Sequence, residues 1–305
     1  MAGTGRLSYN YLDIAFTPYG DYWREIKKIC VLELFSAKRV QSFQSVREEE
    51  VGLFIDSILK ASSSSSSPVD LTEKTISLTA NVTCRVALGN SFEASRFTQK
   101  VIHEALAKLE CFSASDFFPY VGWIVDRVTG LHAELERNFQ KLDEFYQKII
   151  DDHIQKGKEK HGHQDIVDFL LDLERYQPEP GGIQFTKNHI KAIIMVNVWA
   201  IGRDPKAWKN PEEFFPERFI DKSIDFIGQN YEFLPFGSGR RSCSGMTMAL
   251  SLVEIALANL LFCFDWKLPG NMKEADINME EASGPGLTTH KKEALLLVPI
   301  KYQPA

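Results

Sequence analysis

The ten residues "FGSGRRSCSG" (236–245) constrain this chain more than any other stretch. They put three glycines, two arginines and one cysteine into a loop with little side-chain bulk, and the apolar run "MTMALSLVEIALANLLF" follows at once. A thiol just before an apolar helix meets unpaired N–H groups and the positive end of the helix dipole, which stabilise a negative sulfur. Glycines at 239 and 245 let the backbone approach a large flat ligand and aim amides at that sulfur. Phe236 is placed to shield a ligand bond from water, and Arg241 to pair with an acidic group on the ligand's edge.

Several chemistries fail at this loop. No Gly-Lys-Ser/Thr triplet ends it, so it is not a P-loop. Ala249 stands where a cysteine phosphatase needs arginine. A dinucleotide fingerprint fits at Gly237 and Gly239 but has Ser242 in its third place; with Asp265 at a tolerable distance for a ribose contact, that reading stays open on two glycines alone. A metal bound through one thiolate, with no second Cys or His nearby, is neither zinc nor an iron–sulfur cluster. Haem supplies four nitrogens itself and needs a single axial sulfur.

Phe236-x-x-Gly239-x-Arg241-x-Cys243-x-Gly245 resembles the haem-binding decapeptide of the cytochrome P450 family at every defining position. Other stretches resemble the family in the same order. "YGDYWREIKK" is similar to a helix whose Trp and basic residue, here Trp23 and Lys27, contact a haem propionate. Lys27 keeps the charge of the more usual Arg without its bidentate fork. "FFPERF" resembles the meander, where Arg218 is expected in a salt-bridged triad. "GPGLTTHKK" resembles the C-terminal turn that reaches the substrate pocket. The flavour is that of plant microsomal members acting on small lipophilic metabolites in secondary metabolism.

The resemblance implies a mainly α fold with a small β portion, cofactor-binding residues Phe236, Gly239, Arg241, Cys243, Gly245, Trp23 and Lys27, and Cys243 as the axial ligand to the iron of haem (iron protoporphyrin IX). The thiolate pushes electron density onto iron and favours O–O cleavage. It implies a monooxygenase oxidoreductase that inserts one atom of O2 into a small lipophilic substrate, with electrons from an NADPH-dependent flavoprotein reductase. Arg24, Lys27, Lys28 and Arg240 are candidates for a positive patch facing that partner. It also implies the cytoplasmic face of the endoplasmic reticulum membrane, or the cytoplasm for a chain without an anchor.

Two family motifs are missing. The oxygen-activating helix with its Ala/Gly-Gly-x-Asp/Glu-Thr motif and the Glu-x-x-Arg helix do not occur between the helix starting near Thr186 and "VNVWAIGRDP". Catalytic residues are therefore unassigned. Ala2–Gly5, Glu93–Arg96 and Glu134–Arg137 imitate these motifs in the wrong places. At Met195–Val196 a helical pattern runs into an alternating one with no cap, Gly or Pro between them, as if two segments were joined there. The expectation is one incomplete P450 domain over 1–305: a helical part at 1–195, then meander, haem loop, following helix and C-terminal hairpin at 196–305. The anchor and first sheet region are expected to be absent. Without a Glu-x-x-Arg pair, Arg218 is expected to lose its partners, and a buried unpaired guanidinium is costly. The alternative function is a truncated or spliced family member that binds haem weakly or not at all, without catalysis.

Composition adds exclusions. A net charge of −6 advertises no nucleic-acid partner. Five scattered cysteines (Cys30, Cys84, Cys111, Cys243, Cys263) suit a reducing compartment better than a disulfide framework. No apolar stretch reads as bilayer-crossing and no signal peptide opens the chain. Helices are expected from Asp21 as N-cap, along "EEEVGLFIDSILKA", after Pro68, along "NFQKLDEFYQKIIDDHIQKGKEKH" with Phe139, Leu142, Phe145, Tyr146, Ile149 and Ile150 on one stripe and a charged, solvated tail, and along "DIVDFLLDLERYQ". Ser62–Ser67 is expected as a surface loop.

Overall fold

The computed structural model describes residues 5–6, 8–14, 17–64, 67–89, 114, 118, 120–156, 164–175, 209–210, 215–220, 224–227, 229–230, 233, 235–280, 282 and 291–302. They fall in two compact units, Met1–Ser57 with Glu73–Val196, and Ile58–Thr72 with Asn197–Ala305. The helix read near Thr186, the join at Met195 and Cys111 lie outside the described residues.

The first unit is helical. Helix α1 (Asp21–Ile29) buries Trp23 and Ile26 and widens into a π-helical turn at Cys30–Leu34. Its N-cap is Gly20, not Asp21. Asp21 is already helical, and its carboxylate pairs one turn on with Arg24, so it serves the helix as a first-turn charge. Helix α2 (Ala37–Ser42) is capped by Ser36, whose hydroxyl accepts from the Arg39 amide. Helix α3 (Gln44–Ser64) and helix α4 (Leu71–Leu88) cross the boundary between units. In the first unit the Arg85 guanidinium of α4 bridges Glu49 at 2.7 Å and Glu50 at 2.8 Å on α3. Helices α5 (Gly122–Val128) and α6 (Leu131–Lys156) follow. Leu142, Phe145, Tyr146, Ile149 and Ile150 are buried as the 3.6-residue stripe requires, while Lys141, Glu144 and Lys148 face water. Helix α7 (Ile166–Arg175) buries Ile166, Val167, Leu170 and Leu171.

The second unit carries a three-stranded antiparallel sheet of order β1-β3-β2, built from β1 (Val69–Asp70), β2 (Phe264–Lys267) and β3 (Leu296–Lys301). Val69 faces Leu297, and Phe264 faces Lys301. The strand of the C-terminal region thus pairs with β2, the strand before it in the chain, and with the distant β1; residues 283–290 of the expected hairpin lie outside the described residues. Backbone donors at a strand edge take whichever acceptor the fold presents, and sequence proximity does not decide it. Ser62–Ser64 also depart from expectation by continuing α3, with the Ser62 hydroxyl donating to the Leu59 carbonyl at 2.8 Å.

Helix α8 (Met246–Cys263) enters β2 with no intervening residue. Of its 18 residues only Ala256 is buried. With a mean hydropathy of 1.9, α8 is long and apolar enough to cross a membrane by length and composition. That corrects the expectation that no stretch reaches this length.

Candidate functional site

The Cys243 loop lies wholly in the second unit. The Cys243 amide donates to the Phe236 carbonyl at 2.7 Å and closes the loop, and the Ser242 amide donates to the Gly239 carbonyl at 3.2 Å around a 3-10 turn, Gly239–Arg241. Gly237 and Gly239 have φ of +70° and +59°, a backbone that side-chain-bearing residues rarely adopt. A Cβ on Gly239 would meet nothing within 4 Å, so the backbone there fronts open space. Gly245 caps α8, and its carbonyl accepts from the Ala249 amide at 3.0 Å. One closed turn thereby gathers Phe236, Gly239, Arg241, Cys243 and Gly245, with a free, half-buried thiol two residues before the helix cap.

Aromatic rings brace the approach to this turn. Phe236 meets Phe226 edge-on at 6.4 Å between centroids, and Phe219 lies 4.8 Å from Phe233. Arg218, in the 3-10 turn Pro216–Phe219, is partly exposed rather than buried. Its guanidinium donates to the carbonyls of Phe215 at 2.9 Å and Asn210 at 3.1 Å. The expected unpaired buried cation is therefore corrected: backbone oxygens take up its N–H groups.

In the first unit, Trp23 is 3% exposed, and its indole N–H donates to the Ile14 carbonyl at 3.0 Å. That bond ties α1 to the segment before it. Lys27, one turn on, is half-buried. Burial pushes the neighbouring Cys30 thiol up to about 12 against the opposing pull of Lys27. Arg24 of the expected positive patch pairs with Asp21 and lies 5.9 Å over the Tyr19 ring.

Sequence reasoning missed a second cluster. Among the described residues, His153, Asp165 and Asp168 have ligand atoms within 4.8 Å of one another. His153 Nδ1–H donates to the Ile149 carbonyl at 2.7 Å, and its Nε2–H to Asp165 Oδ2 at 2.9 Å. Two donating nitrogens make the ring an imidazolium. Burial opposes that charge, but hydrogen bonds to Asp165 and the Ile149 carbonyl outweigh it and raise the ring to about 9. Asp165 Oδ1 accepts from the Asp168 amide at 2.8 Å, so one carboxylate caps α7 and ties it to α6. Gly89, with φ +75°, fits over this pair: a Cβ there would lie 2.5 Å from Asp165 Oδ2. The available signal was Asp165 immediately before an apolar helical stripe.

The site is thus a half-buried thiol in a closed glycine turn, at the mouth of an 18-residue helix. The sequence model of the cytochrome P450 family matches residues 4–196 and 191–298, and the chain belongs to that family. It is 41% identical to cytochrome P450 71B36 of Arabidopsis thaliana over 99% of this chain and 79% of that protein, and 41% identical to cytochrome P450 71B10 of the same plant. A zebra fish cytochrome P450 structure with abiraterone superposes with a TM-score of 0.69 at 17% identity, covering 100% of this chain and 87% of that one. A retinoic-acid-bound cyanobacterial CYP120A1 gives 0.71 at 15% identity, covering 98% and 83%. By resemblance the chain is a P450 monooxygenase with haem as cofactor; the family uses a redox partner and lipophilic substrates, and the plant relatives associate with the endoplasmic reticulum.

The break is visible as well. The match to the family comes in two parts that meet at 191–196. The alignment with the first relative runs over 403 positions yet holds 99% of a 305-residue chain, so about 100 positions have no counterpart here. An internal deletion near Met195 accounts for both.

Proposed function

We propose that Cys243 is the axial thiolate ligand of haem iron. The residues fit the group: the thiol is free and half-buried, the turn is closed by the 2.7 Å bond from the Cys243 amide to Phe236, and the backbone at Gly239 is open on its outer side. Phe236 would screen the sulfur from water, Gly239 and Gly245 would let the backbone approach the porphyrin, and Arg241 would pair with a propionate; for Lys27, in the first unit, the same role is what the resemblance to the family's helix implies. Trp23 would support that contact through its ring. Haem, when bound, supplies the redox chemistry that places one atom of O2 in a small lipophilic metabolite, with electrons from an NADPH-dependent flavoprotein reductase on the cytoplasmic side of the endoplasmic reticulum; Lys27 and Lys28 of the first unit and Arg240 of the second are each candidates to face that partner. Residues 1–305 then form one incomplete P450 domain.

The observation that carries this reading is the closed Cys243 turn before α8. The protein reconstituted with hemin is expected to give the red-shifted Soret band of a thiolate-ligated, reduced carbon monoxide adduct. Cys243→Ser is expected to lose that band, and its retention rules Cys243 out as ligand.

A second reading is favoured by the break at 191–196. The oxygen-activating and Glu-x-x-Arg motifs are absent, so this chain retains the thiolate turn without turnover. Product formation with reductase and NADPH separates the two: a shifted band without product supports the second reading.

A further inference from the structure

The segment leading into α1 holds a backbone that L residues seldom adopt. Tyr9, Asn10 and Tyr11 follow one another with φ of +52°, +60° and +61°, three left-handed residues in a row with no glycine among them. Side chains crowd the backbone in that region, so such a run persists only where its surroundings hold it. The Asn10 amide donates to the Gly5 carbonyl at 2.8 Å, the Leu12 amide to the Ser8 carbonyl at 3.0 Å, and the Tyr11 amide to the Ser8 hydroxyl at 3.1 Å. Two side chains fasten the turn to α6. Tyr9, 9% exposed, donates its hydroxyl to Asp143 Oδ1 at 2.7 Å and meets the Phe139 ring edge-on at 5.1 Å between centroids. Arg6 forks onto Glu136 and lies 3.7 Å over the same ring. Of the two, Tyr9 is the firmer hold, because the Arg6 fork stands partly in water, where ion pairs contribute little. Burial and the Asp143 carboxylate hold the Tyr9 phenol above its ordinary value, so it stays a donor.

The same segment also grips α1. The Leu12 carbonyl accepts from the Tyr22 hydroxyl at 2.7 Å, and the Ile14 carbonyl from the Trp23 indole N–H at 3.0 Å. The Thr17 hydroxyl donates to the Tyr11 and Asp13 carbonyls and keeps the stretch compact. We infer that Tyr9 is a positioning residue for Trp23: its bond to Asp143 keeps the left-handed turn shut, and the shut turn sets the indole through the Ile14 carbonyl. The consequence for haem rests on the proposed haem-thiolate function, in which the Trp23 ring supports the propionate contact; the coupling of Tyr9 to Trp23 does not. Loss of the Tyr9 hydroxyl lets the three residues leave the left-handed region, and the Leu12 and Ile14 carbonyls move with them.

The test labels the haem-free chain with 5-fluorotryptophan. Among the five tryptophans, the Trp23 resonance is the one that Trp23→Phe removes in fluorine NMR. Tyr9→Phe takes away one oxygen and keeps the ring. It is expected to move the Trp23 resonance toward its position in urea and to speed amide exchange over residues 8–14 by at least about tenfold. Asp143→Asn, which keeps an acceptor oxygen without the charge, is expected to do the same to a smaller extent, and Arg6→Gln to leave the resonance in place. Asn10 is exposed, and glycine accepts its positive φ without strain. Asn10→Gly added to Tyr9→Phe is therefore expected to return the resonance toward that of the parent. A Trp23 resonance unmoved by Tyr9→Phe overturns the inference, whatever happens to the unfolding midpoint. Failure of Asn10→Gly to restore it overturns the inference as well. Should Tyr9→Phe not fold, Asp143→Asn decides: movement of the resonance supports the coupling and its absence overturns it. Haem is read separately, by hemin loss to apomyoglobin, which Tyr9→Phe is expected to quicken several-fold. A moved resonance with hemin loss unchanged supports the coupling and counts instead against the propionate role of Trp23.

Discussion

Helices α6 and α8 are both long, and their sequences ask for burial in different ways. In α6 the apolar residues keep to one stripe and the charged ones to the other face, so the helix itself states which side is covered. Its own unit supplies the cover, and Leu142 and Ile150 are 1% and 0% exposed. In α8 nearly every side is apolar, so the composition demands burial without naming a direction, and the second unit provides cover for one residue in eighteen. An amphipathic helix can be satisfied by the neighbours it has. A helix apolar all round depends on every neighbour being present.

The sharpest way to break this comparison is truncation at matched positions. Leu142→Ala is expected to cost about 2–5 kcal/mol, since it leaves a cavity in a packed interior. Leu257→Ala, at 51% exposure, is expected to cost less than about 1 kcal/mol. Urea unfolding of the two variants checks both, and equal losses would erase the distinction. Gly89→Ala should come next, at about 1–3 kcal/mol, because the methyl group strains a left-handed backbone and displaces the Asp165 oxygen that holds α7 to α6.

The same His153–Asp165 bond gives a pH signature confined to the first unit. The ring rises from its ordinary 6.5 to about 9 in the folded chain, so its stabilisation is complete below about pH 6.5 and fades as pH climbs through 9. Thermal unfolding is expected to weaken across that window in the parent and to stay flatter in His153→Gln. A parent with no such slope would show the pair to be uncharged. The smallest effect belongs to the surface of α6, where the Arg6 fork meets Glu136 at 2.9 and 2.7 Å with both side chains partly in water. Arg6→Gln is expected to cost about 0.2–1 kcal/mol, and less in high salt. Parallel melts at low and high ionic strength would detect it.

What the letters disclosed follows from the range of each interaction. The stripe of α6, the start of α7 and the glycine turn at Cys243 are local patterns, readable because period and backbone sign are properties of neighbouring residues. Asp21 misled because Gly20 and Asp21 are both acceptable near a helix start, and the choice turned on Arg24 drawing the carboxylate along the helix. Arg218 misled because its backbone acceptors at Asn210 and Phe215 leave no trace in side-chain pattern. His153 and Asp165 escaped notice because their meeting depends on how α7 folds back on α6. The pairing of β3 with β1 was illegible for the same reason, being a contact across most of the chain. The exposure of α8 is a different case, since its composition asks for burial without naming the face to be covered.

The central position of β3 also bears on how the polypeptide is made. The Leu295 amide donates to the Thr72 hydroxyl across 223 residues, and the strand beside it separates β1 from β2. A nascent chain can thread out of the ribosome with β1 long since translated and still have nothing to zip it to, because closing so wide a loop awaits residues near position 300. The edge of β1 thus waits for its partner strand across the 223 residues that separate Thr72 from Leu295, and the sheet closes only once residues near position 300 have emerged.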